Sequence, residues 1–163
     1  MPQESRQRAG RYPEPATPVS VLLDRARAAR INAPTRRIVL YVNVDPDSRI
    51  VLGRLSKKWH GVEMIIADDA HAGFQIATMR RPDLVLMDVE LRDLDAATVM
   101  SRLREFPPTS LTPIVALSTD GSPERRRALL EAGASACLTR PVNLAEIQRY
   151  LGALLGVSLL TPA

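Results

Sequence analysis

Five short apolar runs recur along the chain beyond residue 36, and the stretches between them carry apolar residues at helical spacing. The clearest run is Leu84-Val85-Leu86-Met87, preceded by Pro82-Asp83 and leading straight into Asp88-Val89-Glu90. A continuous apolar run of this kind predicts a strand buried on both faces, as in a parallel sheet. Residues 37–43 (Arg-Ile-Val-Leu-Tyr-Val-Asn), 62–67, 114–117 and 136–139 predict four more strands.

The intervening segments carry helix punctuation. Asp45-Pro46 starts a helix over 47–59, because Asp caps and Pro fits the first helical position. Its candidate core residues are Ile50, Leu52 and Leu55, and Gly61 breaks it. Asp68 or Asp69 caps a helix ending near Arg81, with Ala72, Phe74, Ile76 and Met79 as its apolar positions. A third helix spans about 95–105 and closes at Pro107-Pro108. Ser122-Pro123-Glu124 opens a fourth, which Gly133 terminates. Asn143 caps a fifth, running to about Leu155 with Ala145, Ile147, Leu151 and Leu154 on it. Five strands alternating with five helices predict βαβ units with right-handed crossovers. The fold class is therefore α/β, a doubly wound five-stranded parallel sheet.

Length and charge refine this picture. At 163 residues the chain suffices for one domain with an appendage. The boundaries predicted are a basic arm over 1–36, a domain over 37–156 and a tail over 157–163. Residues 1–37 hold eight arginines against three acids, so +5 of charge lies there. The net charge is +4, which leaves −1 for the remainder. The arm's start is rich in Pro and Arg and reads as disordered, with a short helix near 20–30 behind Ser20. Nucleic-acid binding through the arm is the weaker alternative function, since its charges show no aromatic interleaving beyond the single Tyr12 and no reading motif is present.

Some function classes drop out. No run of eighteen apolar residues exists, and the N-terminus lacks the apolar core of a signal peptide. One cysteine, Cys137, fits a reducing cytoplasm. His60 and His71 read as isolated and solvated. Neither a Gly-rich phosphate loop nor a Ser-His-Asp elbow appears, so the chain is not expected to be an enzyme.

What remains is a constellation at the strand ends. Ligands of open parallel sheets bind beyond the carboxyl ends of the strands. Those ends carry Asn43, Val44 and Asp45, then Asp88, then Ser118, then Arg140. A carboxylate, a hydroxyl and a cation converging on one crevice suit a phosphoryl group: the first attacks phosphorus, the second bonds an oxygen, the third neutralises charge.

Residues 37–155 resemble the receiver domains of two-component response regulators, especially those attached to hybrid sensor kinases. The matching stretches are PDLVLMD ending at Asp88, PIVALS ending at Ser118, GASACLTRP from Gly133 to Pro141, and YVNVDP from Tyr41 to Pro46. The resemblance implies a flavodoxin-like fold with Asp88 as phosphoacceptor, Ser118 as switch hydroxyl and a cis Arg140–Pro141 bond. It implies a histidine kinase or phosphotransfer domain as donor, and an output partner met through the fourth and fifth helices of the domain.

The chain departs from that pattern in several places. The family's acidic pair after the first strand aligns with Asn43 and Val44. Asp45 falls one place late, where helix capping uses it. Arg140 stands for the family Lys, Cys137 for the aromatic switch residue, and Arg92 and Ala96 for the Pro and Gly after the acceptor. Mg²⁺ requires near-octahedral oxygen ligation. Asp88, the main-chain oxygen of Glu90 and at most Asp45 or Asn43 predict weak Mg²⁺ binding. The function expected is therefore a phosphorelay signalling module acting by protein contact, either a pseudo-receiver or a weakly phosphorylated one. A fully competent single-domain response regulator is the alternative.

Overall fold

The computed structural model describes residues 36–159. Residues 1–35 of the expected 1–36 arm, with its expected helix near 20–30, and residues 160–163 lie outside the described residues.

The five apolar runs form strands β1 (Arg37–Val42), β2 (Val62–Ala67), β3 (Leu84–Asp88), β4 (Ile114–Ser118) and β5 (Ala136–Thr139). Between and after them lie α1 (Pro46–Ser56), α2 (Ala70–Arg80), α3 (Ala96–Glu105), α4 (Pro123–Ala132) and α5 (Leu144–Leu155). A 3-10 turn, Pro107–Thr109, follows α3. The strands make one parallel sheet in the order β2-β1-β3-β4-β5. That is the flavodoxin-like arrangement, with its switch point between β1 and β3. Every residue of β3 and β4 is buried, which explains why these strands read as unbroken apolar runs.

Two apolar layers sandwich the sheet. One side of the sheet packs Leu40, Val42, Val85 and Met87 against α2, α3 and α4 through Ala77, Val99, Met100, Leu103 and Leu129. The other packs Val39, Tyr41, Leu84 and Leu86 against α1 and α5 through Leu52, Ile147, Leu151 and Leu154. Beyond α5, Gly156 adopts φ 67°, Val157 N–H donates to the Gly152 carbonyl at 2.9 Å, and Leu159 is buried in this second layer.

Two packing expectations are corrected. Ile50 is 51% exposed, whereas Leu52 is buried and Leu55 half-buried. Residues two apart on a helix point about 200° apart, so Ile50 and Leu52 cannot share a face. Met79 is 73% exposed. The face of α2 set on the sheet is made of small residues instead, Ala70, Gly73 and Ala77, with Phe74 and Ile76 half-buried beside it. A Cβ on Gly73 would meet Val42 Cγ2 at 2.7 Å, so glycine sets the closeness of α2 to β1.

Helix ends follow the sequence signals. Asp45, Asp69, Ser122 and Asn143 cap α1, α2, α4 and α5 with side-chain oxygens. Asp68 instead stands 3.8 Å from Arg49. Gly133 ends α4 at φ 125°, a conformation that a residue with a Cβ adopts only under strain. Arg104 ties the far end of the sheet together. Its guanidinium donates to the carbonyls of Thr112 at 2.6 Å and Gly133 at 2.8 Å, and burial pulls its pKa down.

Candidate functional site

The carboxyl ends of the strands gather the predicted residues. Asp88 closes β3 and Ser118 closes β4; Asp88 pairs in register with Leu117, so carboxylate and hydroxyl residues stand one place apart. Arg140 follows β5, and its main-chain N–H donates to the Ser118 carbonyl at 2.7 Å. The Arg140–Pro141 peptide is cis, as the resemblance implied.

Arg140 Nη2 lies 2.6 Å from Asp88 Oδ2. The Glu90 main-chain N–H donates to Asp88 Oδ1 at 2.8 Å. One carboxylate oxygen thus accepts a main-chain N–H and the other faces a guanidinium, on a residue only 4% exposed. Burial pushes the Asp88 carboxyl up from its ordinary value, against the pull of the Glu90 N–H and the Arg140 guanidinium. The Glu90 carboxylate adds to the upward push. Arg140 Nε is buried and finds no acceptor among the described residues.

The neighbouring groups complete the edge. Ser118 Oγ accepts the Asp120 N–H at 3.1 Å. The Glu90 carboxylate accepts the Thr119 main-chain N–H at 3.1 Å and also the Thr119 hydroxyl. Against the penalty of burial, those bonds hold the Glu90 pKa below its ordinary value.

The residues that would hold a divalent cation are otherwise engaged. Asn43 is fully buried; its amide donates to the Tyr41 hydroxyl, and its Oδ1 accepts the Asp45 N–H at 2.7 Å. Val44 offers no oxygen beyond its main chain. The Asp45 carboxylate accepts the Ser48 N–H at 3.0 Å and the Ser48 hydroxyl, as a helix cap does. Those bonds lower the Asp45 pKa. A hard cation needs several oxygens converging from different elements. Of the expected ligands, the Glu90 main-chain oxygen and Asp88 remain, and Asp88 already carries a guanidinium, which is a poor match to that requirement.

Several contributors were not legible in the sequence. Tyr41 was legible only as part of a strand run, yet its hydroxyl meets the Asn43 amide; burial, chiefly, raises its pKa. A cavity of about 510 Å³ opens beside it between α1 and α5, lined in part by Val51, Thr119, Arg140 and Leu144. The Glu90 side chain reaches Thr119, a contact that no local pattern signals. His71 is exposed but not isolated: its Nδ1 is 2.7 Å from Asp93 Oδ2, a correction to the sequence reading.

A doubly wound sheet in this order, with a carboxylate, a hydroxyl and a cation at successive strand ends, is the architecture of a two-component receiver domain. The chain belongs to the response regulator receiver domain family, which residues 39–151 match. The transcriptional regulatory protein PrrA of Mycobacterium tuberculosis is 35% identical over 119 residues. That match covers 72% of this chain and 49% of PrrA, so the chain spans about half the length of that relative. Among solved structures, the receiver domain of sensor histidine kinase PA1611 from Pseudomonas aeruginosa has TM-score 0.68 and 26% identity, over 74% of this chain and 98% of that one. Its crystal structure holds a magnesium ion in the active site cleft. The chemotaxis response regulator CheY4 of Vibrio cholerae has TM-score 0.65 and 26% identity, over 71% and 99% of the two chains. Among the described residues no helix is long and apolar enough to cross a membrane.

Proposed function

We propose that this receiver acts in a phosphorelay by protein contact, with an altered acceptor site that is phosphorylated weakly or not at all. The observation that carries the proposal is the 2.6 Å contact of Arg140 on Asp88, at a site whose acidic-pair positions hold Asn43 and Val44. In such a site a guanidinium neutralises the acceptor carboxylate. A fixed fork supplies charge but cannot reorganise around a phosphoryl group as a hydrated cation does. The proposed input partner is a histidine kinase or phosphotransfer domain. The output surface is proposed to be the face of α4 and α5.

A phosphorylation-competent receiver is the second reading. It is favoured by the retention of Asp88, Ser118 and a cation at the three successive strand ends. The two separate on incubation with acetyl phosphate and Mg²⁺, read by intact mass, for wild type, Asn43→Asp/Val44→Asp and Asp88→Asn. Wild type is expected to show little adduct, the double variant more adduct together with tighter Mg²⁺ binding, and Asp88→Asn none. Near-complete wild-type phosphorylation at low-millimolar Mg²⁺ would instead establish the competent receiver, with Asp45 as the missing ligand.

A further inference from the structure

The loop after Asp88 is held from an unexpected direction. It carries Glu90, whose N–H bonds the acceptor, and it runs to α3 at Ala96. The resemblance places a Pro where this chain has Arg92 and a Gly where it has Ala96. A Pro would fix one backbone dihedral of the loop without help from any side chain; Arg92 cannot. Nor does α3 anchor the loop through its own cap, since Asp95 makes no side-chain cap bond. Leu91 and Leu94 pack partly against the core, but apolar contact is non-directional.

Asp93 supplies the missing direction. Its Oδ1 accepts the Ala70 N–H at 3.0 Å, and its Oδ2 accepts the His71 N–H at 3.0 Å. The His71 ring adds Nδ1 at 2.7 Å to Oδ2. Three bonds thus converge on one carboxylate from a helix start more than twenty residues earlier in the chain. They satisfy main-chain donors that α2 leaves free at its N-terminus, and the helix dipole favours the negative charge there. Asp69, the cap within α2's own segment, covers a different donor, Ala72 N–H. The division of labour is clean: Asp69 serves the helix alone, while Asp93 joins the helix to the acceptor loop. On the loop's other side, Glu90 is tied to Thr119.

We propose that Asp93 is a positioning residue of the Asp88 site: its grip on the start of α2 fixes the loop so that Glu90 keeps its N–H on the acceptor carboxylate and its side chain on Thr119. The proposal rests on Asp88 being the site's working carboxylate, but its test does not require phosphorylation.

The experiment compares Asp93→Ala, Asp93→Asn and Asp69→Ala in the full chain. Both alanine variants remove capping bonds from α2; only one releases the loop. The readouts are amide hydrogen exchange at Glu90 and Thr119, normalised to a core amide such as that of Leu86, and the ¹³Cγ shift of Asp88 by NMR. Asp93→Ala is expected to speed exchange at Glu90 and Thr119 at least tenfold relative to Leu86 and to move the Asp88 resonance. Asp69→Ala is expected to do neither. Asp93→Asn, which keeps an acceptor oxygen, is expected to fall between, and it carries the test if the alanine variant does not fold. Equal effects of the Asp93 and Asp69 variants, or no change at Glu90 and Thr119 in either Asp93 variant, would overturn the proposal. Absence of any wild-type acetyl phosphate adduct would bear on phosphorylation alone and leave the exchange result standing.

Discussion

Arg140→Ala is the most informative single perturbation of the acceptor, because it leaves a buried carboxylate without its cation. Removing one partner of a buried ion pair costs about 3–5 kcal/mol where the stranded charge cannot adjust. Asp88 can adjust in two ways: Oδ1 keeps the Glu90 N–H, and the carboxyl can take a proton. The loss expected near pH 7.5 is therefore about 2–3 kcal/mol. Its sign with pH follows from linkage. Burial already raises the folded-state pKa of Asp88 above its unfolded value of about 3.9, and loss of Arg140 raises it further. A carboxyl raised in the folded state disfavours folding as pH climbs above the unfolded pKa, by up to about 1.4 kcal/mol per unit, until the folded-state group ionises. The penalty should hence be smaller near pH 4.5 than near pH 7.5, because lower pH favours the neutral carboxyl in the folded state. Urea unfolding of wild type and Arg140→Ala at the two pH values measures it. In an Asp88→Asn background the same substitution should cost less than about 1 kcal/mol, because no charge is stranded. An equal loss at both pH values, or a loss that Asp88→Asn leaves intact, would refute the reasoning.

Two further expectations concern the scaffold. Gly73→Ala should destabilise by about 1–2 kcal/mol in thermal unfolding despite its better helix propensity, because the new Cβ meets Val42 at 2.7 Å. Arg104→Lys should cost on the order of 2–4 kcal/mol in denaturant unfolding, since one ammonium nitrogen replaces the planar fork whose separate nitrogens reach the Thr112 and Gly133 carbonyls.

The order and type of the elements were legible because burial on both faces leaves strands such as Leu84–Asp88 with no polar interruption, and because caps such as Asp45 and Asn143 are local signals. The strand-end constellation was legible for the same reason: each residue sits one step past a visible run. What the sequence hid depends on distance along the chain. Asp93 meets Ala70 and His71, Glu90 meets Thr119, and Arg140 meets Asp88 only after the sheet is assembled. Ile50 and Met79 misled because apolar character was weighed without direction or size. The close approach of α2 to the sheet selects Gly73 and Ala77, which carry little hydrophobic signal.

The reversal after α5 governs how the domain could pass on a movement. Gly152 leaves room for the returning chain, since a Cβ there would meet the Val157 carbonyl oxygen at 2.7 Å, and Leu159 is sunk in the layer shared with Ile147 and Leu151. The outlet of the domain is consequently a clamp rather than a swivel. Residues 157–159 would follow any tilt of α5 as one body with it. A freely jointed outlet would dissipate the same tilt. A fusion made directly after Gly156 would lose that coupling and uncover the layer beneath, whereas one made past Leu159 would keep both.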